Sequence, residues 1–187
     1  MKKFLLITFG CPKNEVDSDF VAGQLIEAGF NPTPVLEEAD FVIVNTCSFL
    51  RSAVSENLRA IKKLSNLKKK FNFTLVVTGC LVNRFREKIF DLDVNVDFWI
   101  PGNFQPRLAE ILSTGNAEFL NFEEQNYLFS ARSTKSVVVD RKYAYLKISE
   151  GCNRPCSFCV IPKIRGSFRS RRIENILDEA VMLIDQG

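Results

Sequence analysis

Short apolar runs alternate with stretches of helical spacing through the first half of the chain. Residues 4–9, 41–44 and 73–77 are strand-length apolar runs bounded by Gly, Thr or Asn, and they read as buried strands. Phe20, Val21, Leu25 and Ala28 share one helical face, with Asp17 or Ser18 as a candidate cap and Gly29 as the stop. Val54, Leu58, Ile61, Leu64 and Leu67 repeat that spacing up to Lys68, Lys69 and Lys70, whose positive charge suits a helix C-terminus. A brief strand at 35–36, a helix at 84–90, a strand at 98–100 and a helix at 104–112 complete the pattern. Strands alternating with helices predict an α/β fold with a doubly wound parallel sheet over residues 1–120.

The pattern fades over the polar stretch 121–140, which reads as a linker. Residues 143–148 then read as the first strand of a second domain, 141–187, delivering a cysteine-rich loop as the strands of a (β/α) barrel do. Ile173, Ile176, Leu177, Ala180, Val181 and Ile184 form a helical stripe, with Gly187 at its stop. A full barrel repeats this βα unit many times over, so the chain is expected to be a truncated piece of a longer protein.

Composition narrows the chemistry. The 187 residues are 46% hydrophobic, and seventeen Phe supply bulk for packed cores. A formal net charge of +3 is too small to argue for a nucleic-acid partner by itself. The basic cluster Lys163, Arg165, Arg169, Arg171 and Arg172 could serve phosphate, but Arg171 and Arg172 read more simply as solvated or paired with Glu174 and Asp178. There is no histidine, which removes His-based triads and His zinc ligands. Met1-Lys2-Lys3 before an apolar run resembles a signal segment, yet the run is short and bulky Phe9 stands where a small residue is expected. The reading is a cytoplasmic protein with no membrane partner. In that compartment six cysteines point to metal or redox chemistry rather than disulfides.

Those cysteines fall into two sets of three. Cys11, Cys47 and Cys80 each stand just beyond an apolar strand. In a parallel sheet the carboxyl ends of strands share one edge, so three sequence-distant cysteines can converge there, and Gly10 and Gly79 give the backbone room. A lone strand-end cysteine is commonly core, but three at one edge favour a shared site. Cys152, Cys156 and Cys159 lie in one short loop, separated by three and then two residues. A structural zinc site normally takes four ligands, whereas three thiolates on a 4Fe–4S cube leave one iron open. An open coordination position suits chemistry.

The Cys152–Cys156–Cys159 spacing, with Phe158 before the last cysteine, resembles the cluster motif of the radical S-adenosylmethionine (SAM) enzymes. With Cys11, Cys47 and Cys80 added, the whole chain resembles the N-terminal part of the methylthiotransferase family. The resemblance implies two 4Fe–4S clusters, one on each cysteine set, with SAM on the open iron of the second and Phe158 beside it. It also implies that SAM is cleaved to a radical, that sulfur carried on the first cluster is methylated and inserted, and that a donor such as flavodoxin or ferredoxin supplies electrons. Gly10-Cys11-Pro12-Lys13-Asn14 with Val16-Asp17-Ser18, and Ile161 through Gly166 with Arg169-Ser170-Arg171, resemble the branch that modifies an aspartate of a small-subunit ribosomal protein. The branch that modifies tRNA is the alternative, and a non-catalytic iron–sulfur or zinc module is the rival of another class. One βα unit cannot enclose SAM, so this stretch alone is expected to be inactive.

Overall fold

The computed structural model describes residues 1–117, 128 and 143–185. Strand β1 (Lys3–Thr8) leads into helix α1 (Pro12–Glu27), then β2 (Asn31–Pro32), β3 (Phe41–Thr46), α2 (Arg51–Leu67), β4 (Thr74–Gly79), α3 (Cys80–Phe85), β5 (Phe98–Ile100) and α4 (Leu108–Thr114). The second unit holds β6 (Ser149–Glu150), α5 (Ile161–Arg165), β7 (Arg169–Ser170) and α6 (Ile173–Asp185).

Five strands form one sheet in the order β2-β1-β3-β4-β5, every pair parallel. Residues on β3 and β4 are buried almost throughout, as strands covered on both faces require. Ile43 and Val76 face one cluster with Val21 and Leu25 of α1 and Leu108 and Ile111 of α4. Val42, Val44, Leu75 and Val77 face the other, with Ile61 and Leu64 of α2 and Leu81 of α3. The predicted doubly wound α/β sheet is therefore present, its helices divided between the two faces.

The strand order reverses between β1 and β3. In open parallel sheets that reversal leaves a crevice at the carboxyl ends of the two strands, where helices depart to opposite faces. Cys11 follows β1 and Cys47 follows β3, so these two cysteines stand at the carboxyl ends of the strands that flank the reversal.

Several boundaries differ from the sequence expectation. Helix α1 begins at Pro12, capped by the extended backbone of Cys11, because proline is well tolerated in a first turn. Asp17 and Ser18 are thus inside the helix and buried rather than capping it. Residues 36–38 form a 3-10 turn, and the short strand is Asn31–Pro32 instead. The helix expected at 84–90 starts earlier, at Cys80, and gives way to a 3-10 turn from Arg86. The helix expected at 104–112 starts as a 3-10 turn containing Pro106, which has no N–H for the α ladder.

The second unit departs further. Residues 143–148 have no strand pairing, and the ladder is confined to Ser149 and Glu150, antiparallel to Arg169 and Ser170. Tyr145 packs on Val16 and Phe20 of α1 instead of alternating across a sheet. Arg171, expected at the surface, is buried and paired with Glu179, also buried. Helix α6 forms over the predicted stripe. The linker expected at 121–140 lies outside the described residues except for Leu128, as does the stop at Gly187.

Candidate metal centre

Register brings the first cysteine set to one edge. Thr46 pairs with Gly79 across β3 and β4, so Cys47 and Cys80 are the residues directly after the two paired strand ends. Phe9 N–H donates to Asn45 O at 2.9 Å and carries the β1–β3 ladder towards Gly10 and Cys11. Gly10 has φ +107°, and a β-carbon there would stand 2.5 Å from Cys47 Cβ and 2.8 Å from Cys47 Sγ. Gly79, at φ +94°, is packed as closely, and a β-carbon there would collide with Asn45 Oδ1 and the Thr46 backbone. Both glycines occupy backbone conformations closed to other residues.

Three asparagines hold this edge. Asn14 donates through Nδ2 to Phe9 O and Thr46 O, both at 2.8 Å, which aims its Oδ1 at Cys80 Sγ, 3.6 Å away. Asn57 accepts from Cys47 N–H at 3.1 Å. Asn45 donates to Asn14 O and Ser18 Oγ, while its buried Oδ1 has no hydrogen-bond partner among the described residues. Ser48 Oγ donates to Cys80 O at 2.9 Å. Cys47 and Cys80 are buried, and Cys11 is exposed at the positive end of α1. Burial pushes the Cys80 thiol above its ordinary range, against the nearby Arg165 charge.

The second set sits on a loop pinned at several points. Cys152 N–H donates to Gly166 O at 3.1 Å, Cys159 N–H to Cys156 O at 3.1 Å and Phe168 N–H to Asn153 Oδ1 at 2.8 Å. Gly151 has φ +77°, and a β-carbon would collide with Ser167 O. Cys156 is exposed, Cys152 and Cys159 are half-buried, and Phe158 is 85% exposed.

All six cysteines are free. Two sets of three soft thiolates suit an iron–sulfur group by donor chemistry. The close packing of Gly10 on Cys47 holds the first set together, and the orphaned Asn45 Oδ1 is a buried polar atom left beside it for a group seated there. Among the described residues no three Cys, Asp or Glu side chains stand close enough to grip a metal ion as they are placed.

Residues 3–101 match the model of the uncharacterized protein family UPF0004. The chain belongs to this family. It is also similar to proteins named ribosomal protein uS12 methylthiotransferase RimO. The one from Dictyoglomus thermophilum is 38% identical over 191 residues, covering 100% of this chain and 43% of that protein. Those from Trichlorobacter lovleyi and Aquifex aeolicus are 40% and 42% identical, covering 42% and 39% of their lengths and 100% and 99% of this chain. The chain thus spans about two fifths of the curated relatives it matches.

Within this UPF0004 chain, sequence reasoning named the cysteines and both glycines of the first set. It missed the residues that orient them. Asn14 stood in the quoted Gly10–Asn14 phrase without a role, and Asn45 directly precedes Thr46-Cys47. Asn57 lies mid-helix, where asparagine is a poor helix former, and that placement was the available signal. Asp17, Lys147, Glu150 and Arg165 form a buried ion network that no local pattern announces.

Proposed function

We propose that this chain contributes to a radical SAM methylthiotransferase that adds a methylthio group to an aspartate of ribosomal protein uS12. Cys11, Cys47 and Cys80 would hold one 4Fe–4S cluster and Cys152, Cys156 and Cys159 a second. The observation that carries the reading is the in-register placement of Cys47 and Cys80 at one edge of the sheet, with Gly10, which precedes Cys11, packed against Cys47. A second open thiolate set is what separates sulfur insertion from other uses of the Cys152–Cys159 motif. Whole-chain similarity to proteins named for that activity supports the substrate.

When bound, such clusters supply one-electron cleavage of SAM and a site for the sulfur to be transferred. The chain's own residues do the rest. The two glycines let the strand ends pack closely on Cys47, Asn45 and Thr46, and the positive end of the α1 dipole stands at Cys11. Asn14 and Asn57 fix the end of β3 that carries Cys47, and Asn14 Oδ1 accepts from Cys80 Sγ. Exposed Phe158 offers an aromatic face beside the second set.

Anaerobic reconstitution of the protein as encoded, followed by iron counting, tests the ligands. About eight irons per chain are expected for two cubes, falling to about four when either cysteine trio is changed to alanine. Uptake of zinc without iron would overturn the reading. Mass spectrometry of uS12 and of tRNA from cells lacking the protein tests the substrate. The methylthio mass should vanish from uS12, and its loss from tRNA alone would transfer the assignment to the tRNA branch.

A further inference from the structure

Arg165 occupies a place that the chemistry above does not use. It ends α5 in the second unit, yet its side chain is buried against α1 of the first. Its Nη1 donates to Asp17 Oδ2 at 2.7 Å and to Glu150 Oε2 at 2.9 Å, and its Nη2 donates to Asn14 Oδ1. Lys147 Nζ reaches Asp17 Oδ1 at 2.6 Å and also pairs with Glu150. Lys13, half-exposed, approaches Glu150 Oε1 at 3.7 Å and donates to Ser149 O at 3.0 Å. Asn83 Nδ2 adds a contact to Ile164 O at 3.1 Å. Asp17, Asn83, Lys147, Glu150 and Arg165 border a cavity of about 20 Å³, room for one water-sized molecule, with Cys80 in its wall.

The chain positions of those partners give the network its meaning. Asn14 is the residue whose amide clamps the Thr46 carbonyl and faces Cys80. Asp17 lies one turn further along the same helix. Glu150 ends β6, two residues before Cys152, and accepts from Gly151 N–H at 3.1 Å. One planar guanidinium therefore touches both the scaffold of the first cysteine set and the root of the second. A buried ion network of this kind adds little net stability, because desolvation offsets the attraction. It does demand one geometry, since any other arrangement strands a buried charge. A forked cation meets three acceptors that a single ammonium cannot serve together.

We propose that Arg165 is a positioning residue, fixing the Cys152–Cys159 loop relative to the edge that carries Cys11, Cys47 and Cys80. This rests on the preceding reading only for what the cysteines hold. The juxtaposition of the two sets is a property of the polypeptide.

The first test needs no metal. In metal-free protein, Arg165→Met should speed amide exchange at Gly151 and Cys152 by about tenfold or more while β3 and β4 amides change less than about twofold. Arg165→Lys should behave like Arg165→Met, because the fork and not the charge carries the role. Exchange unchanged at Gly151 and Cys152, exchange raised equally through the sheet, or full rescue by lysine would each overturn the proposal. The second test uses the protein as encoded, with all that follows this stretch, after reconstitution. Both variants should load as much iron as the unaltered protein but release about tenfold more 5′-deoxyadenosine per methylthio product formed. A parallel fall in both products would show simple destabilisation and overturn it. If the unaltered protein takes up no iron, the cluster reading fails while the exchange experiment still decides the role of Arg165.

Discussion

Gly10 rests directly on Cys47: a β-carbon at Gly10 would stand 2.5 Å from Cys47 Cβ, with φ at +107°. Gly10→Ala should therefore cost roughly 1–3 kcal/mol from backbone strain, plus the displacement of Cys47. Chemical denaturation of the metal-free protein measures that loss. Reconstitution of the same variant should recover only about half the iron, because the Cys152 set does not depend on Gly10. Normal iron with lowered stability would separate packing from ligation.

Arg171 and Glu179 form a second buried pair, with side chains 2% and 0% exposed. Arg171 also donates to Lys147 O at 2.7 Å and Asn175 O at 3.0 Å, so it ties α6 to the segment entering the cysteine loop. Arg171→Met alone should destabilise the second unit by about 3–5 kcal/mol, because it breaks a buried charge pair and removes two hydrogen bonds to backbone carbonyls. Adding Glu179→Leu should restore much of that stability. Urea midpoints of the single and double variants decide it, and additive losses would contradict the pairing.

Glu150 supplies a pH dependence whose sign follows from its surroundings. Burial alone would raise its carboxyl, but Arg165, Lys147 and Lys13 outweigh burial and hold it at about 2, against an ordinary 4.5; Asp17 shares Arg165 and Lys147. A carboxyl lowered on folding stabilises the fold above its unfolded value and loses that contribution as pH falls from about 4.5 towards 2. The shift corresponds to about 3 kcal/mol at most. Unfolding of metal-free protein between pH 6 and about pH 3 should be steeper than in Glu150→Gln. Equal slopes would mean that the carboxyl is not held by these cations.

The sequence made the sheet legible because β1, β3 and β4 are apolar runs of strand length that break at Gly, Thr or Asn, and burial on both faces demands such runs. The same breaks exposed Cys11, Cys47 and Cys80. The start of α1 was hidden because Cys11 caps it with backbone alone, while Asp17 and Ser18 have the chemistry of caps and are used elsewhere. Arg165 sat among other basic residues and looked like surface charge. Its partner Asp17 is 148 positions away, a distance over which no local pattern operates. Residues 143–148 have strand composition, yet a strand also needs a neighbour, and the hydrophobic contact of Tyr145 goes to a helix.

Asp17 also bears on how the protein can be cut apart for study. A piece ending near residue 117 would keep the whole parallel sheet, but it would lose both cations that neutralise the Asp17 carboxylate. Dissection at that point would leave a negative charge on a helix face shaped to be covered, next to Cys80. A self-sufficient first module would therefore need Asp17→Asn, a redesign at a residue that touches neither the sheet core nor any cysteine in sequence.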